Sequence, residues 1–268
     1  MEATPIVDVS TESEREPKSL SRVIFDRIGT LERTRLQTKC LQLLSTTPVW
    51  NQLVFRGPVA IHGVHLHGRC SRDLDFLAPP EVKERFVEIL AEQGIELQKK
   101  EDARIPHFPM QGTVFKDIAV GIDVCSREVT DMVWVNAHFQ GAGGVTIPVQ
   151  VLPFPLLMGE KFRATVRRAR SSDFYDVWLF AQRFPDLLAE VRRLLISGEV
   201  AGEQFEFSTS KVWAHLQEVR DSWHQDLIEF MPQVPSFETV ERDLSRTMEF
   251  LSAVPTPNYD PGRTKQPR

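Results

Sequence analysis

Near residue 153 the rhythm of apolar side chains changes, and that change limits the architectures open to the chain. Before it, residues 52–56, 73–77, 96–100, 112–115, 118–124 and 145–152 show the alternation or β-branched runs of short strands. Helical spacing separates them. Residues 20–44 read as two helices broken near Gly29-Thr30, Pro58 suits the first position of a further helix, and Pro79-Pro80 opens one that runs to about residue 93. Val82, Phe86, Ile89 and Leu90 share one face of that last helix. After Pro155 the pattern is helical throughout, over 158–170, 173–183, 185–196, 211–230 and 237–251. Sheet elements followed by a run of helices predict an α/β (α+β) protein: a small mixed β-sheet core flanked by helices, with a helical C-terminal half. The expected boundaries are a disordered segment over 1–18, the core over 19–153, a helical domain over 154–253 and a disordered tail over 254–268.

Size and composition narrow the classes of function. The 268 residues suffice for one large or two modest cores, and 41% hydrophobic with 26% charged residues is ordinary for a soluble globular chain. No apolar run approaches the roughly 18 residues a membrane helix needs, so no membrane partner is expected. Residues 1–16 are acidic and polar and lack the basic start and apolar stretch of a secretion signal, which leaves a cytoplasmic location as the expectation. Three scattered cysteines exclude a zinc ribbon or disulfide scaffold. With a net charge of −5, any polynucleotide partner must meet a local basic patch.

Chemistry concentrates in the run Arg69-Cys70-Ser71-Arg72-Asp73-Leu74-Asp75. Asp73 and Asp75 lie two apart on a strand and project from one face. Adjacent carboxylates repel, so they suit either a bound cation or a solvated edge, and a lone D-x-D leaves both readings open. Asp123, between the β-branched Ile122 and Val124, is a third acid on a strand. Magnesium takes one or two carboxylates and leaves positions for substrate phosphates.

Two motifs in order carry a family resemblance. The segment Leu53-Val54-Phe55-Arg56-Gly57, a helix, then Gly68-Arg69-Cys70-Ser71-Arg72-Asp73-Leu74-Asp75-Phe76, resembles the first motif of the AbiEii-type nucleotidyltransferase toxins. Glu160-Lys161-Phe162-Arg163-Ala164, then Arg167 or Arg168, then Asp173-Phe174-Tyr175-Asp176-Val177, is similar to that family's distal motif. The resemblance implies a DNA-polymerase-β-like nucleotidyltransferase fold. It further implies transfer of a nucleoside monophosphate from a triphosphate such as ATP to an acceptor, with loss of pyrophosphate. In that reading Asp73, Asp75 and Asp123 hold Mg²⁺, or Mn²⁺ in its place, with Asp123 bridging metals or acting as general base. Lys161 meets phosphate oxygens, and Asp173 and Asp176 lie close by. Gly57, Val59, Arg69, Ser71 and Arg168 join Lys161 and Asp173 at the nucleotide, and Asp73, Asp75, Asp123, Lys161 and Asp176 form the catalytic set. RNA, transfer RNA in particular, or another macromolecule is the implied acceptor, and an antitoxin protein an implied partner.

The match is altered at one place. Where the family has a second glycine and then Ser or Thr, this chain has Pro58 and Val59, which supply neither an N–H nor a hydroxyl to a phosphate. That change motivates a second reading, a nucleotide- or RNA-binding protein without turnover. A third is an enzyme that modifies small molecules of the aminoglycoside kind. Several residues keep a plain structural alternative beside the functional one. His62, His65 and His67 suit a zinc site or ordinary lining positions, and the basic run from Lys161 to Arg170 suits phosphate or a solvated helix face. Asp173 suits a helix N-cap with Asp176 one turn on. Cys70 suits a reactive thiol or a small buried side chain.

Overall fold

The computed structural model describes residues 20–95, 97, 107–109, 119–128, 132–200 and 207–252. The sequence expectations for residues 1–18, 98–100, 112–115 and 254–268 lie outside these. Among the described residues the sheet has six strands: β1 (Val54–Arg56), β2 (Asp73–Ala78), β3 (His107–Pro109), β4 (Ala119–Ser126), β5 (Val135–Gln140) and β6 (Thr146–Val151), in the order β3-β4-β2-β1-β6-β5. β2 runs parallel to β4 and β1 to β6, while the other neighbours are antiparallel, so the sheet is mixed.

Alternation along β2 decides which residues face the core. Leu74 and Phe76 are buried, so the intervening Asp73 and Asp75 take the other face and stay partly open. Phe76 stacks on Phe55 of β1 with ring centres 5.1 Å apart, and Phe139 of β5 meets Phe55 edge-on at 6.0 Å. These rings fasten three strands of the central sheet to one another.

The helices are α1 (Leu20–Leu44), α2 (Gly57–Ala60), α3 (Pro80–Glu92), α4 (Phe154–Arg167), α5 (Ser171–Arg183), α6 (Leu188–Ser197), α7 (Thr209–Glu218), α8 (Trp223–Leu227) and α9 (Phe237–Ser252). α2 passes directly into a π-helical turn, Ile61–Leu66, closed by the left-handed residue His67 (φ 48°). Three expectations change. α1 is one helix and continues through Gly29-Thr30, because the cost of an interior glycine, about 1 kcal/mol, is outweighed by burial of Leu36, Cys40, Leu41 and Leu44. The expected helix over 211–230 divides into α7 and α8, and the bend lets Trp223 bury while its indole N–H donates to the Pro235 carbonyl at 2.8 Å. β5 has no counterpart among the expected strands. It joins β6 through a turn in which Gly143 and Gly144 take φ of 70° and 77°, and Thr38 of α1 accepts a bond from the Ala142 N–H of that turn at 2.8 Å. Among the described residues, no helix is long and apolar enough to cross a membrane.

Candidate active site

β1 ends at Arg56, opposite Asp75 on the antiparallel neighbour β2, and Asp75 in turn lies opposite Asp123 on the parallel neighbour β4. Three polar side chains thus come from adjacent strands at one level of the sheet. The chain leaves β1 through Gly57, whose φ of 71° is left-handed. A Cβ there would sit 2.1 Å from Oδ2 of Asp75. Gly57 is therefore required twice, for its backbone conformation and for the space the carboxylate occupies. Pro58 follows at the first turn of α2, where its missing N–H costs no helical bond.

Gly57 and Asp75 edge a cleft of about 370 Å³ whose far wall is α4, with Glu160, Lys161, Arg163, Ala164, Arg167 and Arg168. Arg56 spans the floor and pairs with Glu160 at 2.9 Å. Burial, together with the Asp73 and Asp123 carboxylates, pushes the Asp75 carboxyl up to about 7, against the opposing pull of Arg56 and Lys161. A carboxylate so disfavoured beside two others indicates that the local cations do not balance the acids. A hard divalent cation would, and the all-oxygen donor set of Asp73, Asp75 and Asp123 fits magnesium. Among the described residues no three His, Cys, Asp or Glu side chains close tightly enough to hold an ion unaided. Water or substrate oxygens would have to complete the shell, as is usual for this ion.

Behind the cleft lies a buried charge network. Asp176 of α5 is fully buried; Arg69 grips it with Nε to Oδ1 and Nη2 to Oδ2, both at 2.7 Å. Lys161 Nζ lies 2.9 Å from Asp176 Oδ2 and 2.7 Å from Asp173 Oδ1, and Arg168 Nε lies 2.7 Å from Asp173 Oδ2. Burial alone would raise the Asp176 carboxyl, but Arg69, Lys161 and His62 outweigh it and hold it well below the usual carboxylate range. Asp173 is lowered in the same way, burial being overcome by Lys161 and Arg168. Asp173 is thus an ion-pair partner in the first turn of α5, and Arg170 occupies the cap position with no side-chain cap bond.

The structure brings Gly57, Asp75, Lys161 and Arg168 to one cleft, with Asp73 and Asp123 beside Asp75 and with Asp173 and Asp176 behind Lys161. Three residues expected at the nucleotide lie elsewhere. Val59, Arg69 and Ser71 line a separate cavity of about 300 Å³ on the other side of the helix that starts at Gly57. Val59 is buried because it faces the sheet from α2, and Arg69 is buried because its guanidinium is spent on Asp176. Arg56 and Glu160 stand inside the two motifs without an assigned role, and His62 is weighed in the sequence only as a zinc ligand or a lining residue. Arg56 carried a usable signal as the last residue of the strand before Gly57. The zinc alternative for the histidines has no geometric support, since His62 bonds through both ring nitrogens and His65 stacks on Phe154 at 4.2 Å.

A mixed sheet that presents carboxylates at the mouth of a cation-walled cleft is built to handle phosphoryl groups, and its class is nucleotidyltransferase. The sequence profile described as "Nucleotidyl transferase AbiEii toxin, Type IV TA system" matches residues 40–247, and the chain belongs to that family. It is similar in structure to MenT4, a nucleotidyltransferase toxin of Mycobacterium tuberculosis, with a TM-score of 0.59 and 20% identity over 88% of this chain and 90% of that one. That likeness shows a shared fold. JHP933 of Helicobacter pylori matches at a TM-score of 0.46 and 13% identity, over 87% of this chain and 92% of the other. No curated protein sequence matches the chain.

Proposed function

We propose that the protein transfers a nucleoside monophosphate from a ribonucleoside triphosphate to RNA, with transfer RNA as the acceptor, in a Mg²⁺-dependent reaction that serves as the toxin activity of a toxin–antitoxin pair. One observation carries the reading: Asp75 is packed against a side-chain-free Gly57 at the edge of a cleft whose opposite wall bears Lys161 and Arg168. Asp73, Asp75 and Asp123 would hold the metal, which supplies charge neutralisation on the phosphates and lowers the cost of the leaving pyrophosphate.

The chain's own groups do the rest. The Lys161 ammonium has three N–H donors; Asp173 and Asp176 take two, leaving the third for a phosphate oxygen in the cleft. Arg168, with its side chain 46% exposed, meets the same oxygens from the rim. The acceptor hydroxyl oxygen attacks the α-phosphorus, the bond to the bridging oxygen breaks, and pyrophosphate leaves. Asp123, in register with Asp75, takes the hydroxyl proton. RNA is favoured as acceptor by the exposed Arg167, Arg168 and Arg170 at the end of α4, where a phosphate backbone would find sequence-independent contacts.

Pro58 removes an N–H from the turn after Gly57 and Val59 faces away from the cleft, so the triphosphate is held chiefly from the α4 side and binds weakly. The test is to incubate the protein with each labelled triphosphate and either total RNA, purified transfer RNA or a panel of small hydroxyl acceptors. Label in transfer RNA supports the proposal. Label only in a small molecule overturns the acceptor, and binding of triphosphate without any transfer overturns the reaction.

A further inference from the structure

His62 stands at a junction that none of the expected site residues explains. It sits in the π-helical turn that continues α2, so one unbroken helical run joins it to Gly57, the residue that gives Asp75 its space. The turn itself is held by the His67 N–H donating to the His62 carbonyl at 2.9 Å, five residues apart. Such turns insert an extra residue into a helix and re-aim the side chains on it. Here the side chain is aimed inward and is 4% exposed.

The partners fix which nitrogen carries the proton. Gly68 presents only an N–H to Nδ1, at 3.3 Å, so Nδ1 accepts. Nε2 therefore bears the hydrogen and donates to Asp176 Oδ1 at 2.8 Å. Asp176 thus receives Arg69 on both oxygens, His62 on Oδ1 and Lys161 on Oδ2. A Cβ at Gly68 would lie 2.4 Å from the end of the Leu179 side chain, which would have to turn aside. The loop that orients the imidazole is itself packed in place.

We propose that His62 is a positioning residue for the nucleotide: as a neutral donor it fixes Asp176, and through Asp176 it holds the Lys161 ammonium at the height of the cleft where Gly57 and Asp75 lie. Two walls of the cleft are then set relative to each other by one side chain. The helix after Gly57 carries His62, and α4 carries Lys161. Neutrality is part of the role. Arg69, Lys161 and Arg168 face Asp173 and Asp176, which leaves one excess positive charge for phosphate; a cationic residue at 62 would compete for Asp176 and loosen the lysine. The inference rests on the reading of Lys161 as the phosphate-binding cation.

The experiment is calorimetric binding, with Mg²⁺ present, of whichever of ATP, CTP, GTP and UTP binds best and of its monophosphate. The proteins are the full-length wild type, Lys161→Met, His62→Leu, His62→Gln and His62→Asn. Glutamine places its amide nitrogen where Nε2 stands and can donate to Asp176; asparagine is too short. His62→Leu and His62→Asn are expected to weaken triphosphate binding by about tenfold, the scale of a lost bond to a charged group. Monophosphate binding should stay within about twofold, and His62→Gln should recover most of the loss. Should the leucine variant fail to fold, the asparagine–glutamine pair carries the comparison. Unchanged triphosphate binding in folded His62→Asn, or equal weakening of triphosphate and monophosphate, overturns the positioning role. If Lys161→Met binds like wild type, the cleft reading itself falls and takes the inference with it, an outcome distinct from failure at His62 alone.

Discussion

Replacing Gly57 with alanine perturbs two things whose sizes can be separated. The backbone at Gly57 has φ of 71°, and a left-handed alanine costs roughly 1–2 kcal/mol. The new Cβ would also lie 2.1 Å from Asp75 Oδ2 and 2.7 Å from its carboxyl carbon. A contact of that kind needs well over 3 Å, so the carboxylate must retreat by about 1 Å, and a misplacement of that size costs on the order of 10²-fold in rate. Gly94, at the end of α3, isolates the first effect. Its φ is 72°, yet nothing lies within 4 Å of a Cβ built there. Gly94→Ala is expected to lose about 1–2 kcal/mol in urea unfolding, and Gly57→Ala at least that much, because the clash with Asp75 adds to the strain. Nucleotidyl transfer should fall about 10²-fold for Gly57→Ala and stay at the wild-type level for Gly94→Ala. Equal activity in the two variants would refute the claim that Asp75 owes its position to the open space at Gly57.

Other expectations follow from the buried network. Asp176→Leu leaves Arg69 and Lys161 without their shared anion and should cost about 3–5 kcal/mol in urea unfolding; a loss under 1 kcal/mol would contradict the network's tightness. Lys161→Met should raise the KM for triphosphate far more than it lowers the melting temperature, because Asp176 keeps Arg69 and His62; a large thermal loss with unchanged KM would contradict this. The pH profile of stability has a definite sign. Burial, with Arg69 and Lys161, lowers His62 from 6.5 to about 4 in spite of Asp176. Because the unfolded chain takes up that proton first, its contribution, roughly 3 kcal/mol, is complete above pH 6.5 and is lost as pH falls towards 4. His65, also lowered to about 4 by burial, acts in the same window. Asp173 and Asp176 are depressed, so their contribution holds above the ordinary carboxylate value of 3.8 and disappears only below it. Asp75, raised to about 7, gains stability as pH falls over the same window, so the histidines are read in an Asp75→Asn background. There the urea midpoint should decline from about pH 6.5, and a flat profile down to pH 4.5 would contradict the neutral buried histidines.

How much of this could be read from the residues depends on the range of the interaction. The Asp73–Ala78 strand, its alternation and the helix from Pro80 are local patterns, and they were legible. Gly57 was placed by the family resemblance, whereas its left-handed φ and its contact with Asp75 come only from the structure. β5 was missed although Asn136, His138 and Gln140 alternate with Val135, Ala137 and Phe139, because only Phe139 of that face is buried and the apolar signal is weak. Arg69 looks from its motif like a nucleotide ligand; only the packing of α5 against the loop before β2 shows that its guanidinium is already engaged by Asp176. The link from His62 to Asp176 spans 114 residues and has no sequence period to betray it.

The central claim is that Asp75, at the mouth of the cleft, belongs to a metal-dependent nucleotidyl-transfer site. Its most direct test is transfer of α-phosphate label from triphosphate to RNA with and without Mg²⁺, by wild type and by Asp75→Asn of matched stability. The account predicts label in RNA only for wild type with the metal. Undiminished transfer by Asp75→Asn, or wild-type transfer that persists in a metal chelator, would contradict it.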